Sequence, residues 1–448
     1  MTLPRRRVAS AIVIAGALVL PACSTSGGWS APKVVRIDSK EPVAALMPSW
    51  LTWLSDSPEG QPQALLLRDG DFVFGSDAPF RYLASDGPSV KIEAEKSLAR
   101  IGQKTVTLSL DSPDTRTWLS RATEPQLKDL RTVAVPKDID ADLLESLRRL
   151  ASTNPSVDLM FESEDGVLRT LPIFKPRAIF LPDEIKAATL ASLANQPQLE
   201  TVLVKCDEPG GLDVLAKLPK LRHLVLGDWN PAKAGPLPAG LNSLRGLVLA
   251  GADELKDLSG LKNLPDTLEE LSVLHAPHLT DITPLSRFTH LNTLVLNGDE
   301  GIGDLSGLSS VESLRWVGVP PKTTQEQFAS FVGAHPNLAI LDLVGNPGIS
   351  SLAPLSSLKS LEGLILQGPY ENMSAVHGLK TLKFLGVSAK TWDASPDQIA
   401  ALKTALPDAL VVRVSPFCLG SGWILLLLPA LGVTTWLARR RASRQLAA

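Results

Sequence analysis

The six residues LNTLVL, 291–296, come back along this chain at a nearly constant interval. Leucine or valine holds the first, fourth and sixth positions of runs that begin at Leu199 (LETVLV), Leu221 (LRHLVL), Leu244 (LRGLVL), Leu268 (LEELSV) and Leu291. The series continues at Leu314 (LRWVGV), Leu338 (LAILDL), Leu361 (LEGLIL) and Leu382 (LKFLGV), with successive starts 21 to 24 residues apart. The last three residues of each run read as a short strand whose outer side chains face one side, the core. The leucine three positions earlier reaches that core from the turn leading into the strand. One such coil cannot bury its own apolar face, but stacked coils share a continuous one, with parallel strands ~4.8 Å apart lining a concave surface. The spacing therefore predicts an α/β solenoid.

Between the runs stand DLSGL (257–261 and 304–308), DITPL (281–285) and SLAPL (351–355), where a turn and two more apolar side chains close the coil. An L-x-x-L-x-L run at this pitch is the signature of a leucine-rich repeat. The turns resemble those of compact internalin-type repeats of bacteria over about residues 199–390. That resemblance implies a horseshoe with a parallel concave sheet and a role in binding another protein. It also implies an asparagine three residues past the last strand leucine. Only Asn346 fits, while Trp229, Ala252, Ala276, Asp299 and Pro369 hold the other positions, so differently turned bends are expected.

Longer coils at 133–161, 179–204, 317–343 and 393–414 run from strand through proline and an amphipathic stretch to strand, and resemble ribonuclease-inhibitor-like repeats. In one of them Thr324 and Gln327 have the spacing of a capping box. The solenoid is thus expected over residues 104–415. Residues 33–103 do not repeat; PQALLLRD, DFVFG, FRYLAS and VKIEAEK alternate or run short between turn residues, which predicts a small β-rich N-terminal cap domain. A cap shields the first coil; a separate binding domain is the alternative.

Both ends carry membrane signals. Residues 1–22 read as a signal peptide, with Arg5, Arg6 and Arg7 ahead of an apolar Val8–Leu20 stretch. Leu20-Pro21-Ala22-Cys23 resembles a bacterial lipobox, although Pro21 departs from it, which makes Cys23 the lipidation candidate; ordinary cleavage nearby is the other reading. A Ser/Gly-rich flexible linker, 23–32, follows. At the other end, 416–438 includes an uncharged stretch from Leu419 to Ala438 with Trp423 and Trp436 near its two ends. At ~1.5 Å per residue that stretch crosses a hydrocarbon core of about 30 Å. The basic tail 439–448, with Arg439, Arg440, Arg441 and Arg444, is then cytoplasmic. The same arrangement resembles the cleaved C-terminal sorting tags of Gram-negative bacteria, so a transmembrane helix and a tag both stay open. Either way the body is expected in the bacterial cell envelope, periplasmic or at the cell surface.

Composition narrows the function. Formal charge is −3, but seven arginines lie in the two end segments, which leaves 37 basic against 47 acidic residues, or −10, for the body. An anionic body is a poor partner for nucleic acid, whose binding rests on neutralised phosphates. Of three cysteines only Cys206 lies in the body, so no disulfide framework is expected, and Cys206 reads as a core residue. There is no phosphate-binding loop, G-x-S-x-G or H-E-x-x-H motif. His275 and His278, beside Glu269 and Glu270, read as turn and surface histidines. No catalytic residue, metal or cofactor is expected.

The outward positions of the strands are more informative. Val225, Val248, Val295, Ile365, Trp316, Ile340 and Phe384 form an apolar track where a solvated face carries polar residues, and such tracks mark contacts. His223, Glu270, Asp342 and Gln367 add polar groups, and Gly246, Gly363 and Gly386 leave room for close approach. These residues are the candidate partner-binding face of a non-enzymatic, membrane-anchored protein whose partner is another protein. Two alternatives remain: the N-terminal unit covers the face, or the protein is an envelope spacer without a specific ligand.

Overall fold

The computed structural model describes residues 104–414, apart from 131, 183–184, 206–207, 275, 297–298, 344–345 and 369, together with the backbone of five strands between Thr52 and Ile101. The signal and linker segments, Cys23, Cys206, His275, the candidate span 416–438 and the tail lie outside the described residues. No helix among the described residues is long and apolar enough to cross a membrane.

The first strands are β1 (Thr52–Ser55), β2 (Pro62–Leu67), β3 (Phe80–Ala84), β4 (Val90–Glu95), β5 (Leu98–Ile101) and β6 (Lys104–Ser109). Most of their pairings are antiparallel; β2 with β3 is parallel. The solenoid strands follow: β7 (Thr132–Val135), β8 (Asp158–Phe161), β9 (Ala178–Phe180), β10 (Thr201–Lys205), β11 (His223–Gly227), β12 (Gly246–Ala250) and β13 (Glu270–Leu274). Then come β14 (Thr293–Val295), β15 (Trp316–Gly318), β16 (Ile340–Leu343), β17 (Gly363–Leu366), β18 (Phe384–Ser388) and β19 (Leu410–Val414). From β6 to β19 each strand pairs in parallel with the next. The chain is an α/β solenoid, and β6, antiparallel to β5 and parallel to β7, is where the meander passes into it.

The repeated leucines build the core. Leu199, Leu221, Leu244, Leu268, Leu291, Leu314, Leu338, Leu361 and Leu382 are each at most 2% exposed. Full burial of one such side chain stabilises by about 1.5–3 kcal/mol, so the ladder is the main cohesive element of the stack. Coil-to-coil contact is also tied at the start of each strand, where the carbonyls of Arg222, Arg245, Asn292 and Arg315 each accept two N–H groups from the coil above.

The D-L-S and D-I-T turns have a local cause. Asp257, Asp281 and Asp304 each accept the N–H of the residue two further on, at 2.8, 2.9 and 2.8 Å. This turns the chain into the short 3₁₀ segments Ser259–Leu261, Thr283–Arg287 and Ser306–Leu308 that form the opposite wall. Hydrogen bonds to Thr283 and Ser306 hold the Asp281 and Asp304 carboxyls below the usual carboxylate range. The longer coils place α-helices there instead. In the Ala141–Thr153 helix, Asp140 caps the Leu143 N–H at 2.7 Å, and Leu143, Leu147, Leu150 and Ala151 face the core at helical spacing. Thr324 and Gln327 form the reciprocal cap of the Gln325–Ala334 helix.

Bends that lack the asparagine are filled in several ways. Asn346 donates to the Val319 carbonyl at 3.0 Å. Trp229 is buried at the same position and lies against Gly260, where a Cβ would sit 2.6 Å from the indole. Ala252 and Ala276 are buried in their bends, and Asp299 accepts the Ala276 N–H at 2.7 Å.

Candidate binding face

Within each strand the residues between the core-facing side chains point to the concave side. The parallel register orders them in two rows. His223, Gly246, Glu270, Thr293, Trp316, Ile340, Gly363 and Phe384 are successive partners in one. Val225, Val248, Ser272, Val295, Gly318, Asp342, Ile365 and Gly386 are successive partners in the other. The track read from the sequence is therefore contiguous across β11 to β18, although the Phe384 side chain lies outside the described residues.

Its exposure differs from what the sequence suggests. Val225, Val248, Val295, Trp316, Ile340 and Ile365 are only 3–7% exposed. Glu270, Ser272, Thr293 and Asp342 are buried as well, and His223 is half-buried. Neighbouring coils supply part of the cover. A Cβ on Gly246 would lie 2.9 Å from the His223 ring and 3.2 Å from a Glu270 carboxylate oxygen, so both side chains lean over that glycine. Ile340 leans over Gly363 in the same way, at 3.2 Å. The space expected above Gly246 and Gly363 is thus taken by adjacent side chains, because a residue without Cβ lets its larger neighbours lie flat.

Polar groups on the face fall into two kinds. The His223 Nδ1 is 3.5 Å from the Thr201 hydroxyl, and Gln367 donates its main-chain N–H to the Tyr370 hydroxyl oxygen at 3.2 Å. Burial, with the Asp342 carboxylate nearby, pushes Tyr370 above its ordinary range. By contrast, Ser272 Oγ and Trp316 Nε1 are buried without a hydrogen-bond partner, and so is Gln367 Oε1. A buried donor such as an indole N–H left unpaired costs about 1–3 kcal/mol, which an acceptor placed over it would recover. Tyr370 carries no signal in the sequence, since an isolated hydroxyl outside the repeated run has no periodicity.

Among the described residues no group of three His, Cys, Asp or Glu side chains could hold a metal ion. His278 is exposed in a turn, and His275 lies outside the described residues.

No protein-family model matches the chain, and no curated protein matches it. Among solved structures, the chain is similar to an internalin (inlF) from Listeria monocytogenes, at 19% identity, with 67% of this chain and 86% of that one covered and a TM-score of 0.36. An internalin C2 (inlC2) from the same organism is similar at 21% identity over 45% of this chain and 84% of that one, with a TM-score of 0.32. The mouse RP105/MD-1 complex is similar at 14% identity over 64% of this chain and 59% of that one, with a TM-score of 0.41. The assignment of this chain as a solenoid rests on the register of β6 to β19 and on its buried leucine ladder.

Proposed function

We propose that this chain is a non-enzymatic interaction protein, exported and anchored in the bacterial envelope, that binds another protein through the concave face of its solenoid. The observation that carries this reading is the apolar row Val225, Val248, Val295 and Ile365, flanked by Trp316 and Ile340 and held in register over seven strands. Affinity comes from such desolvated anchors, with His223, Glu270, Asp342 and Gln367 setting specificity. The export signal, the candidate lipid on Cys23 and the candidate span 416–438 support the placement, and the body charge of −10 argues against nucleic acid.

The test is photo-crosslinking in intact cells, with a reactive side chain at Val248 or Ile365 and a control at the exposed turn residue Ser306. A specific adduct to a second protein from the two concave sites and none from the control is the expected result. No specific adduct from either concave site in a folded protein, with aspartate substitution at Val248 and Ile365 changing nothing beyond stability, would instead favour the spacer reading.

A further inference from the structure

Three C-cap residues on the wall opposite the strands fasten their coils to the coil before, and one of the three can titrate. Asn154, Gln196 and His335 end the helical segments Ala141–Thr153, Ala191–Asn195 and Gln325–Ala334. Asn154 Nδ2 donates to the Leu127 and Leu130 carbonyls at 3.1 and 2.8 Å, and Gln196 Nε2 donates to the Leu171 carbonyl at 3.1 Å. His335 fills the same place with an imidazole. Its Nε2 lies 3.0 Å from the Leu308 carbonyl oxygen, in the coil before, and its Nδ1 lies 2.8 Å from the Phe331 carbonyl oxygen.

Both partners of that ring are acceptors only. A carboxamide offers two N–H hydrogens at any pH, whereas a neutral imidazole has one N–H and one lone pair. A bare nitrogen at either place would set lone pair against lone pair at hydrogen-bond distance. We propose that His335 is held as the imidazolium and acts as a pH-sensitive latch between the coil that carries Trp316 and the coil before it. Doubly protonated, the ring ties the helix end both to its own last turn and to the Ser306–Leu308 segment. When one proton leaves, one of the two ties is lost. The latch is therefore complete at acid pH and weakens as pH rises through the neutral range, where histidine exchanges its second proton.

The surroundings supply the charge with partners of the right kind. His335 is 2% exposed and stands at the C-terminal end of its helix, where the helix dipole favours a cation. The Phe331 ring lies 4.4 Å from it between centroids. Charged side chains on the flanking elements are Asp304 and Glu312 on either side of Ser306–Leu308, Arg315 ahead of β15, Glu326 in the helix and Lys359 past Ala353–Ser357. All but Arg315 are exposed, and among the described residues none of them makes a hydrogen bond or ion pair with the ring. The two carbonyl oxygens, not a carboxylate, hold the charge. The latch stands on the outer wall and does not depend on what the concave face binds.

The experiment is NMR on the full-length protein with isotope-labelled histidine, the His335 ring signals being assigned by their loss in His335→Asn. Both ring nitrogens are expected to carry hydrogen at pH 6. A bare nitrogen there, the state that burial alone favours, overturns the latch. Amide-exchange protection of residues 328–338, corrected for the pH dependence of free-chain exchange, is then compared at pH 5.5 and pH 8. About a tenfold fall is expected in the parent, as the loss of one hydrogen bond gives, and less than about twofold in His335→Asn, whose amide keeps its hydrogens at both pH values. Asp299 titrates in both proteins, so the difference between them reports on His335. An equal fall in both overturns the latch. His335→Gln, with the amide that Gln196 carries, is the second variant if the first does not fold.

Discussion

Asp299 receives the main-chain N–H of Ala276 on one carboxyl oxygen at 2.7 Å, and its other oxygen is buried without a partner. The residue stands where the repeat elsewhere uses Asn346, which donates its amide to the Val319 carbonyl. Burial pushes the Asp299 carboxyl from the ordinary aspartate range up to about 8. A folded-state value above the unfolded one means that the folded chain holds its proton longer. The stabilisation is complete below pH ~4 and is lost as pH rises towards 8. Asp158, raised to about 7 by burial, acts in the same direction.

Asp299→Asn should therefore stabilise the protein by about 1–3 kcal/mol at pH 8, the cost of an unsatisfied buried charge-bearing group. The gain should shrink towards zero at pH 4. Urea unfolding of parent and variant at pH 4, 6 and 8 reads this directly; an equal difference at all three values would mean that Asp299 does not titrate with folding.

Two neighbouring glycines separate packing from chain entropy. A Cβ at Gly301 would meet the Leu279 carbonyl oxygen at 2.2 Å and the Pro277 carbonyl oxygen at 2.8 Å, whereas one at Gly303 meets nothing within 4 Å. Main chain cannot yield as a side-chain tip can, so Gly301→Ala should cost about 1–3 kcal/mol. Gly303→Ala should change stability by less than ~1 kcal/mol. Thermal midpoints of the two variants, measured side by side, check the contrast.

Leu294 is fully buried on β14, between Leu271 and Val317 in the register. Leu294→Ala should cost about 2–5 kcal/mol. Because each coil is held mainly by its two neighbours, amide exchange should accelerate most on β13 to β15 and least on β6 to β8. Uniform acceleration along the stack would show that the solenoid unfolds as a single unit.

The Gln325–Ala334 helix offers a pair of opposite changes. Thr324→Ala removes an N-cap whose hydroxyl accepts the Gln327 N–H at 3.2 Å and should cost about 1 kcal/mol. Gly333→Ala, with open space around its Cβ position, should add up to ~1 kcal/mol through helix propensity. Denaturant midpoints of the single and double variants test the signs and their additivity.

Much of this architecture was legible from the chain alone. A leucine at each first, fourth and sixth position has one core to enter, and a constant pitch brings the same positions into register. The constant pitch sets His223 beside Gly246, as the register shows. The Thr324–Gln327 cap was legible for the same reason: helix starts depend on residues three apart. The Asp257, Asp281 and Asp304 turns recur as a sequence motif, but which N–H groups the carboxylates accept depends on the main-chain path.

What the sequence by itself determined is the direction in which each side chain points, since strand alternation and coil pitch are local properties. What only the tertiary structure decided is how much solvent those side chains meet. His223 and Glu270 close over Gly246, Trp229 presses on Gly260, and the valine track is buried, all through contacts between residues more than twenty positions apart. Local periodicity orients a face, but how open it stays depends on which side chains neighbouring coils bring against it, and that is settled only when the coils stack.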